Sequence, residues 1–202
     1  MRGDALRRGH RWTAGALVMG TLALGGCTGD PGPGPTGSAS TSASPTAAAS
    51  PSPTPIVAPV RPAEMERSDE VGALAAAEYF MELYAYTFRT GDLTEWNAVS
   101  GQTCGFCSNA RAEVERVYGA GGRFVGGGLE DLDEVRVVGV DEQLVVFGVQ
   151  LRYAYAEGSE VSAAADVVDQ IAPDEGYVVL DVAPSVRGWI LMGGAAQDGP
   201  VG

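Results

Sequence analysis

From Val71 to Phe88, apolar side chains recur at Val71, Leu74, Ala77, Met81, Tyr84 and Phe88, with Ala73, Ala76 and Phe80 flanking the stripe. Steps of three and four residues mark one face of an α-helix, so the spacing predicts a long amphipathic helix here. Tyr79, Leu83 and Tyr86 form a second partial stripe, which predicts that the helix is covered on two sides. Ser68 is the expected cap. Thr90-Gly91-Asp92 should end the helix, with Gly91 suited to the left-handed residue that follows one and Asp92 placed to cap the next. A short second helix is predicted around Leu93 to Val99. A third is expected over Asn109 to Tyr118, with Ser108 as its cap, Val114, Val117 and Tyr118 inward and Gly119 as its stop.

After Gly121-Gly122 the period changes from helical to alternating, and Gly and Asp clusters separate short runs rich in Val. The clearest strand is Leu144 to Tyr155, where Val145, Phe147, Val149, Leu151, Tyr153 and Tyr155 share one face and Val146, Gly148, Gln150, Arg152 and Ala154 the other. Val135 to Val140 should precede it across a tight Asp141-Glu142 turn, and strands are expected at Val161 to Val168, Tyr177 to Val182 and Trp189 to Met192. Three helices followed by a curved antiparallel sheet of four to six strands is an α+β order. With its long first helix able to lie across the concave side of a sheet, this order resembles the cone-shaped nuclear-transport-factor-2-like fold. The resemblance implies architecture only, because such folds host dehydratases, isomerases, binding modules and assembly domains.

Ahead of the first helix the pattern is of another kind. Arg2, Arg7, Arg8 and Arg11 make a positive start, Trp12 to Leu24 is largely apolar, and Leu24-Gly25-Gly26-Cys27 follows. This is the layout of a secretory signal peptide. The apolar run is about thirteen residues, against the roughly twenty a helix needs to cross a bilayer, so a permanent span is not expected. Leucine, two small residues and cysteine resemble the lipobox of bacterial lipoproteins, in which cleavage leaves a lipid-bearing Cys, here Cys27, at the new N-terminus. From Thr28 to about Pro62 nearly every residue is Pro, Ser, Thr, Ala or Gly, which cannot bury enough apolar surface to offset ordering entropy. The expected organisation is a signal peptide over residues 1–26, lipidated Cys27 and a disordered stalk over 27–62, a globular domain over 63–196 and a disordered tail over 197–202.

Composition removes more functions than it names. All 13 basic residues are Arg, so a Schiff-base lysine and a phosphate-loop lysine are both excluded. The single histidine, His10, lies in the leader, and a mature chain without His loses the commonest general base, the serine triad and ordinary catalytic zinc sites. Cleavage before Cys27 leaves 25 acidic and 9 basic residues, a formal charge of −16. That field disfavours nucleic acid and any attachment of the domain itself to anionic lipid.

Cys104-Gly105-Phe106-Cys107 lies between the second and third helices. In an exported protein such a pair is most simply a disulfide. The alternative, a thiol oxidoreductase, draws on the lowered thiol pKa of a Cys-x-x-Cys at a helix start, but the thioredoxin motif follows a strand, whereas here helix and loop precede it. Two thiolates are too few for zinc, and no metal site is expected. Glu130-Asp131-Leu132-Asp133-Glu134, beside Gly126-Gly127-Gly128, reads as a solvated turn rather than a calcium loop. Asp166 and Asp169 read as surface or turn acids. Phe80, Tyr84, Phe88, Phe147, Tyr153 and Trp189 would either line an apolar pocket between helix and sheet or form ordinary core. A filled cone is expected, because Ala and Val dominate the small inward positions.

Tyr84-Ala85-Tyr86 leading into Thr90-Gly91-Asp92, then Trp96 with Val99-Ser100, Cys104 and Cys107, and Tyr118 with Gly121-Gly122 and Gly126-Gly127 together resemble an actinobacterial lipoprotein family known only as domain of unknown function 6318. The resemblance covers about Ala63 to Met192, with leader, lipobox and stalk also alike, and implies no known activity. The expectation is therefore an extracytoplasmic protein, lipid-anchored to the cell membrane. Its domain would bind a cell-envelope protein, a wall component or a small molecule without a cofactor and without catalysis. The alternatives are a pocket enzyme of dehydratase or isomerase type with a carboxylate base, and thiol–disulfide exchange.

Overall fold

The computed structural model describes residues 55–201. The expected leader, lipid-bearing Cys27 and most of the stalk lie outside the described residues. Among the described residues three helices come first, α1 (Glu70–Thr90), α2 (Thr94–Val99) and α3 (Gly105–Gly119), preceded by a 3-10 turn at Ala63–Glu66. Seven strands follow: β1 (Arg123–Gly126), β2 (Leu129–Asp141), β3 (Val146–Tyr155), β4 (Gly158–Val161), β5 (Val167–Ile171), β6 (Asp174–Ser185) and β7 (Gly188–Gln197). The fold is α+β, helices then antiparallel sheet. The single sheet expected is instead two, a four-stranded sheet in the order β2-β3-β6-β7 and a three-stranded one in the order β1-β4-β5.

Helix α1 begins one residue later than its expected cap implies. Asp69, not Ser68, is the N-cap, and its carboxylate accepts from the Gly72 N–H at 3.4 Å. The neighbouring Arg67 guanidinium holds that carboxyl down at about 2, so the cap stays charged at the positive end of the helix. Val71 is exposed, and the buried side is made by Ala73, Ala76, Ala77, Phe80 and Leu83. Four alanines within five positions of one another let the helix lie close to the sheet, where Val149 and Leu151 of β3, Val178, Leu180 and Val182 of β6, and Trp189 and Leu191 of β7 complete one core with it. Each of those aliphatic side chains contributes about 1.5–3 kcal/mol by leaving water. At the other end Gly91 takes the left-handed conformation, with φ 76°, and donates to the Thr87 carbonyl. Asp92 accepts from the Thr94 N–H at 2.9 Å and so serves the first turn of α2.

Helix α3 starts four residues ahead of its expected position, at Gly105 with Cys104 as N-cap rather than at Asn109 with Ser108. The alternating run predicted in β3 is present from Val146, and Phe147, Val149 and Leu151 point into the core. The loop before it is longer than the two-residue turn expected, spanning residues 142–145, with Val145 left-handed at φ 53°. Glu130 to Glu134 form the start of β2 and not a turn, because Asp131, Asp133 and Glu134 pair with Arg152 across the ladder. Val161 to Val168, expected as one strand, is the β4–β5 hairpin: the chain turns at Ser162 to Asp166, where the Ser162 N–H donates to the Asp166 carbonyl at 2.8 Å.

Both domain boundaries move outward. Arg61, assigned to the stalk, reaches Glu95 of α2 and lies over the Tyr79 ring. Past Gln197 the chain folds back along the outer face of the larger sheet, where the Val201 N–H donates to the Gln150 side chain and Arg136 donates to the Val201 carbonyl. This cover explains why Gln150 is fully buried on the face that alternation assigns to solvent.

Candidate functional site

Phe147, Val149 and Leu151 place β3's inward face in the core, and the next two inward positions, Tyr153 and Tyr155, continue that face beyond it. There α1 nears its end and the two sheets part, leaving a cavity of about 330 Å³. It is bounded by Tyr84 and Phe88 of α1, Phe106 of α3, Phe124 of β1, and Tyr153 and Tyr155. The filled cone expected from small inward residues is thus corrected: small residues brought helix and sheet together at one end of the domain only. Of the candidate residues, Tyr84, Phe88 and Tyr153 line the cavity, whereas Phe80, Phe147 and Trp189 belong to the core, the last two meeting edge to face at 5.7 Å.

Tyr84 is the hub of the wall. Its ring stacks on Phe106 at 5.4 Å and lies 4.6 Å from Phe88 and 6.2 Å from Tyr155. Phe106 fits because Gly194 of β7 has no side chain; a Cβ there would stand 2.9 Å from the Phe106 ring. Tyr153 is paired with Gly176 across the β3–β6 ladder, and the bare glycine leaves its phenol room to run diagonally to Asp174, whose carboxylate accepts from it at 3.1 Å. Burial pushes the Tyr84 hydroxyl up to about 12, and the nearby Tyr153, Glu113 and Asp174 push the same way. Tyr155 and Tyr153 are raised too, first by burial. All three phenols therefore stay protonated at physiological pH and act as hydrogen-bond donors.

Two of those donors are unspent. The Tyr155 hydroxyl is out of reach of solvent and has no partner among the described residues, a state that costs about 1–3 kcal/mol. Tyr84 likewise makes no side-chain hydrogen bond among the described residues. Three charged side chains border the cavity: Glu113, Asp174 and Arg89. Glu113 is held by Arg116, whose hydrogen bonds lower its carboxyl. Asp174 and Arg89 make no ion pair among the described residues. Asp174 escaped the sequence analysis because it lies in a stretch read as loop, and only the strand register brings it to Tyr153.

Cys104 and Cys107 form a disulfide that closes the first turn of α3, and both are buried beneath Trp96, whose indole N–H donates to the Cys107 carbonyl at 3.1 Å. Asp166 and Asp169 lie exposed on the β4–β5 hairpin, away from the cavity lining. Among the described residues no group of three or more His, Cys, Asp or Glu is arranged to hold a metal ion, and no helix is long and apolar enough to cross a membrane.

The sequence matches the family described as Family of unknown function (DUF6318) over residues 41–167, more than half of the chain. The chain belongs to this family. The matched span ends at the start of β5, short of Met192. No curated protein matches by sequence. Among solved structures, the intermembrane space region of chloroplast protein ARC6 is similar in fold, with a TM-score of 0.50 at 11% identity, over 65% of this chain and 98% of that one. A putative aromatic ring hydroxylase from Novosphingobium aromaticivorans aligns over 63% of this chain and 90% of its own, at 14% identity and a TM-score of 0.39. At 11% identity the likeness to the ARC6 region is one of fold alone.

Proposed function

We propose that this family member is an envelope-anchored binding domain that takes a small, mainly apolar molecule into its cavity without transforming it. The observation that carries the reading is the cavity itself. Its size falls in the range of about 300–1,000 Å³ usual for small-molecule sites, and its walls are mainly aromatic. No Ser, Cys or His lines it, so the commonest nucleophiles and the commonest general base are missing from the lining. Leader, lipobox string and stalk support a place outside the cytoplasmic membrane, with lipid on Cys27. The buried disulfide supports a structural role for Cys104 and Cys107, since thiol exchange needs an accessible sulfur.

The Tyr153–Asp174 pair favours a second reading, a pocket enzyme in which Asp174 takes a proton and a phenol gives one. Against it, Asp174 is exposed, whereas a carboxylate tuned as a base at neutral pH is one drawn out of water. The binding reading is tested with the neutral fluorophore N-phenyl-1-naphthylamine. Its emission should rise on addition of the full chain, saturating at one dye per protein. Ala196→Trp, which fills the cavity from an exposed position on β7, should abolish the signal and leave the melting temperature within a few degrees. A wild-type chain that does not bind the dye, or a variant that binds it equally, sinks the proposal.

A further inference from the structure

We propose that the cavity selects cations: an organic ammonium whose positive head lies among the rings of Tyr84, Tyr153 and Tyr155, beside Asp174. This rests on the reading of the cavity as a binding site and names the class of ligand. Aromatic faces carry negative quadrupole charge and attract an ammonium held within about 6 Å of the ring centre. The Tyr153 and Tyr155 rings lie 5.3 Å apart and tilted by 48°, and Tyr84 meets Tyr155 at 6.2 Å and 49°. Rings so inclined form the sides of a corner rather than a closed stack, with Phe106 covering one side of Tyr84.

The charges around that corner point the same way. Of the two carboxylates in the lining, Glu113 is paired with Arg116, which it shares with Glu160, but Asp174 has only the Tyr153 phenol as a partner among the described residues. A cation entering the corner would complete Asp174 and lie in the field of a mature chain with formal charge −16. The competing feature is Arg89, the one cation in the lining. It is exposed and stands against the glycine turn between β1 and β2, with Nη1 3.6 Å from where a Gly128 side chain would begin. Both Arg89 and Asp174 are exposed, but only Asp174 is hydrogen-bonded to one of the three tyrosines.

Three probes of one shape isolate charge: choline, the neutral 3,3-dimethyl-1-butanol and the anionic 3,3-dimethylbutyrate, each competed against N-phenyl-1-naphthylamine on the full chain. Choline should bind about tenfold more tightly than the alcohol, the difference of one desolvated cation contact, and the anion most weakly. Asp174→Asn should bring choline to within about twofold of the alcohol. Arg89→Gln should leave the order of the three intact. If the anion binds best and Arg89→Gln removes it, or if all three bind alike, cation selection is wrong while the binding cavity stands. If the dye itself does not bind, the binding reading has failed. Should Asp174→Asn fail to fold, the three probes on the wild-type chain still decide the matter.

Discussion

The phenol of Tyr118 donates to the Phe88 carbonyl at 2.8 Å, and its ring occupies the space where a side chain on Gly91 would stand, 2.5 Å from an added Cβ. Gly91 is thus required twice, once for its left-handed φ of 76° and once for the ring beneath it. Gly91→Ala should cost about 2–3 kcal/mol in a urea titration, more than the strain of a left-handed alanine alone, since Tyr118 must also move. Pairing that change with Tyr118→Ala should recover part of the loss, and a fully additive double variant would refute the contact. The helix stop was legible because Thr-Gly-Asp is local chemistry. The ring under it was not, since Tyr118 lies two helices on, near the end of α3. The same divide separates Tyr153, placed on the inward face by alternation, from Asp174, which reaches it only through pairing with another strand.

Helix α3 shows how a cap that is also a crosslink misleads a reading based on polar caps. Ser108 is the more familiar N-cap, yet Cys104 holds that place, its sulfur accepting from the Cys107 N–H at 3.0 Å while bonded to the Cys107 sulfur. Phe106 sits between the two cysteines, and the bridge therefore fixes the ring that stacks on Tyr84. Replacing both cysteines with Ser should lower stability by about 2 kcal/mol on the chain-entropy account of so short a loop. It should also weaken dye binding by freeing Phe106. A double variant with unchanged stability and unchanged dye binding would show the bridge to be dispensable. In the sheet, the break between β4 and β5 was illegible for a plainer reason. Ser162-Ala-Ala-Ala-Asp166 has turn residues only at its two ends, where the Ser162 hydroxyl accepts from the Ala164 and Asp166 N–H groups, and the three alanines between them carry no turn signal although Ala165 adopts φ 68°. What composition and periodicity did reveal, three helices and then strands of alternating residues, are properties that each segment carries alone. The cavity depends on where two sheets part, which no segment carries.

For the molecule as a whole, the charge that favours a cation in the cavity also governs how the protein can meet a membrane. A chain cleaved before Cys27 would carry −16 and be repelled by anionic lipid, and the 33 residues from Thr28 to Val60, all but Asp30, Ile56, Val57 and Val60 being Pro, Ser, Thr, Ala or Gly, would separate the expected anchor from the domain. That length reaches roughly 30–35 Å as a flexible coil and on the order of 110 Å as polyproline II, both beyond a Debye length of about 8 Å at physiological salt. The domain would then stand clear of the repulsion it generates, and the lipid on Cys27 would carry the attachment alone. Cells fed labelled palmitate should incorporate the label into the wild-type chain and not into Cys27→Ser. The wild-type protein should also stay in the membrane pellet from low to high salt, because acyl burial, unlike contact through basic residues, is not screened. The variant should be found either free of the pellet or retained with its leader, which intact mass separates. A wild-type chain that never takes up label, or one that leaves the membrane as salt is raised, would show that something other than Cys27 holds it there.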